Sequence, residues 1–241
     1  MKKIKNIYFI GIGGIGMSGI AEIMKNLGYK VTGSDQQKNS NVLRLKKLGI
    51  KIFIGHNSSN VENASLVVFS SAISKNNPEI KRAIKLNIPV ISRSEMLKEL
   101  MRVKSTITVA GSHGKTTTVS LIAEILDKAK LDPTVINGGI INSYGSNTKL
   151  GKSDLMLVET DESDGSFSLL PSFGGVITSI DNEHIDFYGS KEKLIDSFHS
   201  YIRNISPFGF LAVSEKDRNI QAILKNYKSL NIYKYGFSNN S

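Results

Sequence analysis

A chain of 241 residues is long enough for one large or two modest domains, and 40% hydrophobic residues suffice for a packed core. The lack of Cys excludes disulfides, thiolate metal sites and thiol catalysis. No apolar run reaches the ~20 residues of a membrane span, and the +10 net charge comes from scattered basic residues without a nucleic-acid motif. The expectation is therefore a cytoplasmic protein with anionic small-molecule ligands, no nucleic acid and no membrane insertion.

Taken in order, residues 5–10 form a short apolar strand that enters Gly11-Ile12-Gly13-Gly14-Ile15-Gly16, a G-x-G-x-x-G match. A helix over 17–27 and a strand over 30–32 follow, leading to Gly33-Ser34-Asp35. This is a βαβ unit with an acidic residue where a dinucleotide site uses one. The first glycine is expected to allow the tight turn, the second to let backbone approach a diphosphate, and the third to let helix pack on strand. Asp35 is expected to accept from a ribose hydroxyl or a base N–H. A helix at 41–48, strands at 51–54 and 66–69, a helix at 78–86, a strand at 89–91 and a helix at 94–101 continue the alternation. Such alternation means a parallel sheet with helices on both faces and ligands at the carboxyl ends of the strands. That rule puts Gly11 to Gly16, Asp35, His56, Ser70, Ser71 and Ala72 along one edge, where a nucleotide diphosphate could lie. His56 also fits an ordinary loop histidine, and Ser70 and Ser71 also fit capping roles.

The next stretch, T-I-T-V-A-G-S-H-G-K-T-T-T-V-S-L-I-A-E-I-L at 106–126, reads as strand, glycine turn and amphipathic helix. Val119, Ile122, Ala123, Ile125 and Leu126 are expected on the apolar face of that helix. Strand, glycine turn, Lys-Thr and helix build a polyphosphate cradle from backbone N–H groups and the helix dipole. Gly111, Ser112, His113, Gly114, Lys115, Thr116 and Thr117 form it. Lys115 is expected to reach the β/γ-phosphates and the Thr116 hydroxyl can ligate Mg²⁺, while the same stretch also fits a glycine-capped βα turn before a helix with a basic first turn. The loop is the shorter G-x-x-G-K-T, with Val109 where the longer phosphate-loop pattern has its first glycine. Further strands are expected at 133–137, 155–158, 175–180, 210–214 and 232–235. Glu159 and His184 fall just past strand ends and could hold a divalent ion bridging phosphates. The acidic run Thr160 to Asp164 also fits a solvated loop. The expected fold class is α/β, with a Rossmann-like parallel-sheet domain at 1–102 and a phosphate-loop α/β domain at 103–241.

Several motifs together resemble the Mur ligase family of peptidoglycan synthesis. They are G-I-G-G-I-G-M-S-G-I-A at 11–21, G-S-D at 33–35, S-S-A-I at 70–73, N-P-E at 77–79, G-S-H-G-K-T-T-T at 111–118, E-T-D-E-S-D-G-S-F at 159–167 and D-N-E-H-I-D-F-Y-G at 181–189. Ser112 and Thr160 stand where many members have Thr and Ala. The resemblance implies a UDP-sugar diphosphate on Gly11 to Gly16 and Ser70 to Ala72. It implies ATP on Gly111 to Thr117, and Mg²⁺ held by Thr116, Glu159 and His184. It implies an ATP-dependent ligase: the lactyl carboxylate of UDP-N-acetylmuramate attacks the γ-phosphate, and the amine of L-alanine then attacks the acyl phosphate. Lys115 and bridging Mg²⁺ neutralise two anions that otherwise repel.

Family members continue into a third domain that contacts adenine and the amino acid, so the resemblance implies that residues 1–241 are a fragment with a truncated second domain. A sibling type adding a tripeptide to the same UDP-sugar, and a non-catalytic nucleotide-binding module, remain as alternatives. A nicotinamide oxidoreductase would rest on the first glycine loop alone and leaves the second loop without a role.

Overall fold

The computed structural model describes residues 4–163, 165–227 and 229–237. Asp164 of the acidic run and the closing residues 238–241 lie outside them. The chain divides into two compact units, Met1–Glu99 and Leu100–Ser241, a division a few residues ahead of the expected boundary.

The first unit runs β1 (Asn6–Ile10), α1 (Ile15–Asn26), β2 (Lys30–Asp35), α2 (Ser40–Lys47), β3 (Lys51–Ile54), β4 (Leu66–Phe69), α3 (Pro78–Lys85), β5 (Val90–Ser92) and α4 (Arg93–Met101). Its strands form one parallel sheet in the order β3-β2-β1-β4-β5. Ile7, Tyr8, Phe9 and Ile10 are all fully buried, as a central strand covered on both faces requires. Asn39 and Asn77 cap α2 and α3 through their side-chain oxygens, and Pro78 opens α3 without losing a hydrogen bond. The sheet changes direction between β1 and β4, the place where such folds open a ligand crevice.

The second unit runs β6 (Ser105–Ala110), α5 (Lys115–Lys128), β7 (Thr134–Ile141), β8 (Ser146–Lys149), β9 (Leu155–Glu159), β10 (Ser172–Ile177), α6 (Ile185–Tyr188), α7 (Lys191–Arg203), β11 (Ile205–Ser214), α8 (Arg218–Leu224) and β12 (Asn231–Tyr235). Its sheet order is β12-β11-β10-β6-β9-β7-β8, parallel except for the β7–β8 pair. The carboxyl ends of β6, β9 and β10 therefore share one edge. No helix among the described residues is long and apolar enough to cross a membrane.

Two local expectations are corrected. Ile125 is 66% exposed, because α5 buries only the narrow stripe of Val119 and Ala123 against the sheet. The strand expected over 175–180 is β10, which ends at Ile177. Residues 178–180 instead form a turn held by hydrogen bonds to the loop after β6. Helix α7 was not among the expected elements. Its stripe Leu194, Phe198, Tyr201 and Ile202 has helical spacing, is buried, and covers the sheet beside β10 and β11.

Candidate functional site

The loop after β6 turns tightly into α5. Gly111 has φ +130, and a Cβ there would lie 2.2 Å from Thr178 Oγ1 and 2.8 Å from Ser179 O, so no side chain fits. The turn beyond β10 buttresses this loop. Ser112 N donates to Ser179 O at 2.9 Å, His113 N to Ser179 Oγ at 3.1 Å, and Asp181 N to Ser112 Oγ at 2.9 Å. Gly114 is the left-handed N-cap of α5 and offers no side chain to cap the helix. The backbone donors of the first turn thus have no side-chain cap, as an anion site at a helix N-terminus requires. Thr117 is exposed. The His113 ring is 60% exposed, with Nε2 3.1 Å from Asp181 Oδ2 and Nδ1 3.5 Å from Glu183 Oε1.

Lys115 curls back over the loop. Its Nζ donates to Gly111 O at 2.6 Å, to Ser112 O at 3.4 Å and to Glu162 Oε1 at 2.6 Å. Glu162 is almost wholly buried, and its other oxygen, Oε2, has no hydrogen-bond partner among the described residues. Burial pushes its carboxyl above the ordinary value, and the Lys115 ammonium opposes that shift. His184 Nε2 lies 3.7 Å from Glu162 Oε1. His184 itself sits in the left-handed region at φ 57, an uncommon state for a non-glycine residue. Glu162, Glu183 and His184 bring one ligand atom each close enough to share a metal ion.

On the other side of the loop, Thr116 Oγ1 donates to Glu159 Oε1 at 2.9 Å, and Glu159 Oε2 accepts from Gly138 N at 2.7 Å. A Cβ at Gly138 would come within 2.7 Å of that carboxylate. Thr116, Glu159, Glu162 and His184 thus surround the phosphate loop with hard oxygen donors and one imidazole, a set suited to a divalent cation. A buried, unpartnered carboxylate oxygen is where such a set lacks positive charge.

In the first unit, Gly11 takes the turn after β1 at φ +77, as expected. The other two glycines serve different ends from those expected. A Cβ at Gly13 would meet Val42 Cγ2 at 2.7 Å and the Asn39 amide at 2.8 Å, and the Gly13 N–H donates to Asp35 Oδ2 at 2.8 Å. That amide is committed within the protein. A Cβ at Gly16 would meet Arg93 Nη1 at 2.6 Å, so the third glycine leaves room for a guanidinium over the start of α1. Asp35 Oδ1 accepts from Gln37 N at 3.0 Å, so each of its oxygens already holds a backbone donor.

Gly11, Gly14, Asp35, His56, Ser70 and Ala72 line a cavity of about 290 Å³. His56, Ala72, Asn76, Asn77 and Pro78 border a neighbouring one of about 610 Å³. Ser70 Oγ accepts from Ala72 N at 3.4 Å, the capping-type contact, and Ser71 is exposed. Ile15 is 57% exposed. Beneath the cavities lies Glu79, fully buried. It accepts from Tyr8 Oη at 2.8 Å, Asn60 Nδ2 at 2.9 Å, Asn57 N at 3.3 Å and Ser34 Oγ at 2.6 Å, and lies 2.9 Å from His56 Nδ1. Burial raises the Tyr8 phenol far above its ordinary range.

The family model described as the Mur ligase family, catalytic domain, matches residues 6–105, and that of the Mur ligase middle domain matches residues 109–241. The chain belongs to the Mur ligase family. It is 53% identical over 235 residues to a UDP-N-acetylmuramate–L-alanine ligase of Paramagnetospirillum magneticum, covering 98% of this chain and 49% of the relative. A ligase of the same name from Methylorubrum extorquens is 53% identical, with 98% of this chain and 50% of the relative covered. Among solved structures, the UDP-N-acetylmuramate–alanine ligase of Thermotoga maritima superposes with a TM-score of 0.83 at 32% identity, over 92% of this chain and 51% of that one. The UDP-N-acetylmuramate:L-alanyl-γ-D-glutamyl-meso-diaminopimelate ligase of Neisseria superposes with a TM-score of 0.88 at 25% identity, over 98% of this chain and 79% of that one. The chain spans about half the length of the curated relatives it matches.

Two acidic residues of this Mur ligase chain were not singled out from sequence. Glu79 follows Asn77 and Pro78 and reads as a helix-start residue. Glu162 sits in an acidic run that reads equally well as a solvated loop. A Glu at N2 behind a capping Asn, and an acid closely following a strand end, were the available signals. Neither says that the side chain turns inward.

Proposed function

We propose that this chain carries the UDP-N-acetylmuramate and ATP sites of an ATP-dependent ligase that joins L-alanine to the lactyl carboxylate in peptidoglycan synthesis, in the cytoplasm. The observation that carries the reading is the cluster of Lys115, Thr116, Glu159, Glu162 and His184 around one phosphate loop, on a chain that also holds a glycine-loop crevice. In this reading the N-terminus of α5 receives the ATP phosphates, and Lys115 leaves Glu162 and the loop carbonyls to meet them. Thr116 and Glu159 would hold one Mg²⁺, and His184 with Glu162 would provide a second place for positive charge. Bound Mg²⁺ supplies charge neutralisation and Lewis acidity at the phosphates. Lys115 neutralises the γ-phosphate as the carboxylate attacks it in line, forming the acyl phosphate and ADP. The amine of L-alanine then displaces phosphate at the acyl carbon.

The 53% identity to alanine-adding ligases favours alanine over the tripeptide alternative. A nicotinamide role is disfavoured because it leaves the second glycine loop, Gly111 to Lys115, without a use. The test incubates the full-length protein containing this chain with ATP, Mg²⁺, UDP-N-acetylmuramate and labelled L-alanine. Formation of the alanine conjugate, abolished by Lys115→Ala while UDP-sugar affinity is retained, is the expected result. Unchanged turnover in Lys115→Ala overturns the assignment.

A further inference from the structure

We propose that Glu79 is a positioning residue that sets the tautomer of His56, so that the first unit accepts a hydrogen bond from the base of its nucleotide and thereby selects uracil over cytosine. The inference rests on the reading that this unit holds the UDP moiety. His56 lines both cavities at the strand ends, its side chain is 9% exposed, and its Nε2 is buried with no protein partner. A buried polar atom that native packing leaves unmatched, at the wall of a cavity, marks where a ligand atom completes the bond. The smaller cavity contains the glycine loop. The larger, bounded by Asn76, Asn77 and Pro78, offers a base amide groups and an apolar wall.

The direction of that bond follows from Glu79. Its Oε1 takes three donors, the Tyr8 hydroxyl, the Asn60 amide and the Asn57 backbone N–H, and its Oε2 takes Ser34 Oγ. The Ser34 hydroxyl gives its one proton to Oε2 and so does not donate to His56 Nδ1, 3.1 Å from it; the carboxylate only accepts, so the His56 nitrogen 2.9 Å from Oε2 carries a proton. The proton is thereby held on Nδ1, and in the neutral ring Nε2 is left as an acceptor on a side chain that lines both cavities. The imide N3–H of uracil is a donor that matches it. N3 of cytosine is an acceptor that does not.

Glu79→Gln gives a discriminating reversal. The amide NH₂ cannot stand at the Oε1 position, where the Asn57 N–H is an obligate donor. It can stand at the Oε2 position, where the Ser34 hydroxyl and the imidazole can both accept. His56 Nδ1 then becomes an acceptor and the ring proton moves to Nε2.

The experiment uses the chain with long-range ¹H–¹⁵N spectra of its four histidines and calorimetric titration with UDP, CDP and N3-methylated UDP. The native chain should carry the His56 proton on Nδ1 and bind UDP at least about tenfold more tightly than either analogue, the scale of a lost bond to a buried polar atom. Glu79→Gln should show the Nε2–H form and lose or invert the UDP preference. A purely structural Glu79 would weaken all three ligands alike and leave the tautomer in place. Should Glu79→Gln fail to fold, His56→Leu, with native melting behaviour, should bind UDP and CDP equally. An Nε2–H ring in the native chain, equal native affinity for UDP and CDP, or a retained preference in His56→Leu overturns the inference. A native chain that binds UDP and CDP equally leaves the UDP-sugar reading standing, whereas one that binds no UDP removes both.

Discussion

Lys115 and Glu162, 2.6 Å apart, form a buried pair at the mouth of the phosphate loop. Such pairs contribute little net stability, because desolvating two charges offsets most of their attraction. Here one oxygen of the acid has no hydrogen-bond partner among the described residues. Replacing Glu162 by Gln keeps the shape and removes the desolvated charge. Because Lys115 then keeps its charge without a counter-ion, stability should fall by about 3 kcal/mol. Affinity for Mn²⁺·ATP should fall roughly 10-fold or more, as when a group beside a metal ligand is removed. Calorimetry with and without the metal checks this. A metal-dependent affinity equal to the native value would show that Glu162 only parks the lysine.

At the scale of elements, α4 begins with a capping box. Glu95 N donates to Ser92 Oγ at 3.2 Å, and Ser92 N donates to Glu95 Oε2 at 2.7 Å. The backbone bond from Ser92, then its hydroxyl, holds the Glu95 carboxyl below its ordinary 4.5. A carboxyl depressed in the folded state stabilises fully above its unfolded value, and that contribution is lost as pH falls through the lower folded value. Ser92→Ala should therefore cost about 1 kcal/mol at neutral pH, with the difference from native shrinking below the ordinary carboxylate range. Urea titrations at both pH values measure it, and a pH-independent difference would assign the effect to the hydroxyl cap alone. Helix α7 depends on packing instead. Phe198 is fully buried, with its ring 5.0 Å from that of Phe167 in an edge contact. Phe198→Ala should cost about 3–5 kcal/mol. A loss under about 1 kcal/mol in denaturant titration would mean that the helix contributes little to the core.

For the whole molecule, each unit has its own sheet and its own buried clusters. Residues 1–99 bury Tyr8, Ile10, Val67 and Ile80 without help from beyond residue 99. Expressed alone, they should fold cooperatively and bind UDP-N-acetylmuramate but not NAD. Titration of that piece with both ligands decides the point. NAD binding with no response to the UDP-sugar would return the first glycine loop to dinucleotide chemistry.

The glycine turns and the strand–helix alternation were legible in the sequence, because each depends on residues a few positions apart. Gly11 and Gly111 had to be glycine for their backbone angles. What only the tertiary structure decided are contacts between residues far apart in the chain. Glu79 meets Tyr8 across 71 positions, and Lys115 meets Glu162 across 47. Periodicity fixes the face of an element but not which side chain of a loop turns inward. The inward turn depends on donors that other strands deliver. For the same reason Gly13 and Gly16 matched a phosphate pattern in sequence, while in the fold their missing side chains make room for Val42 and Arg93.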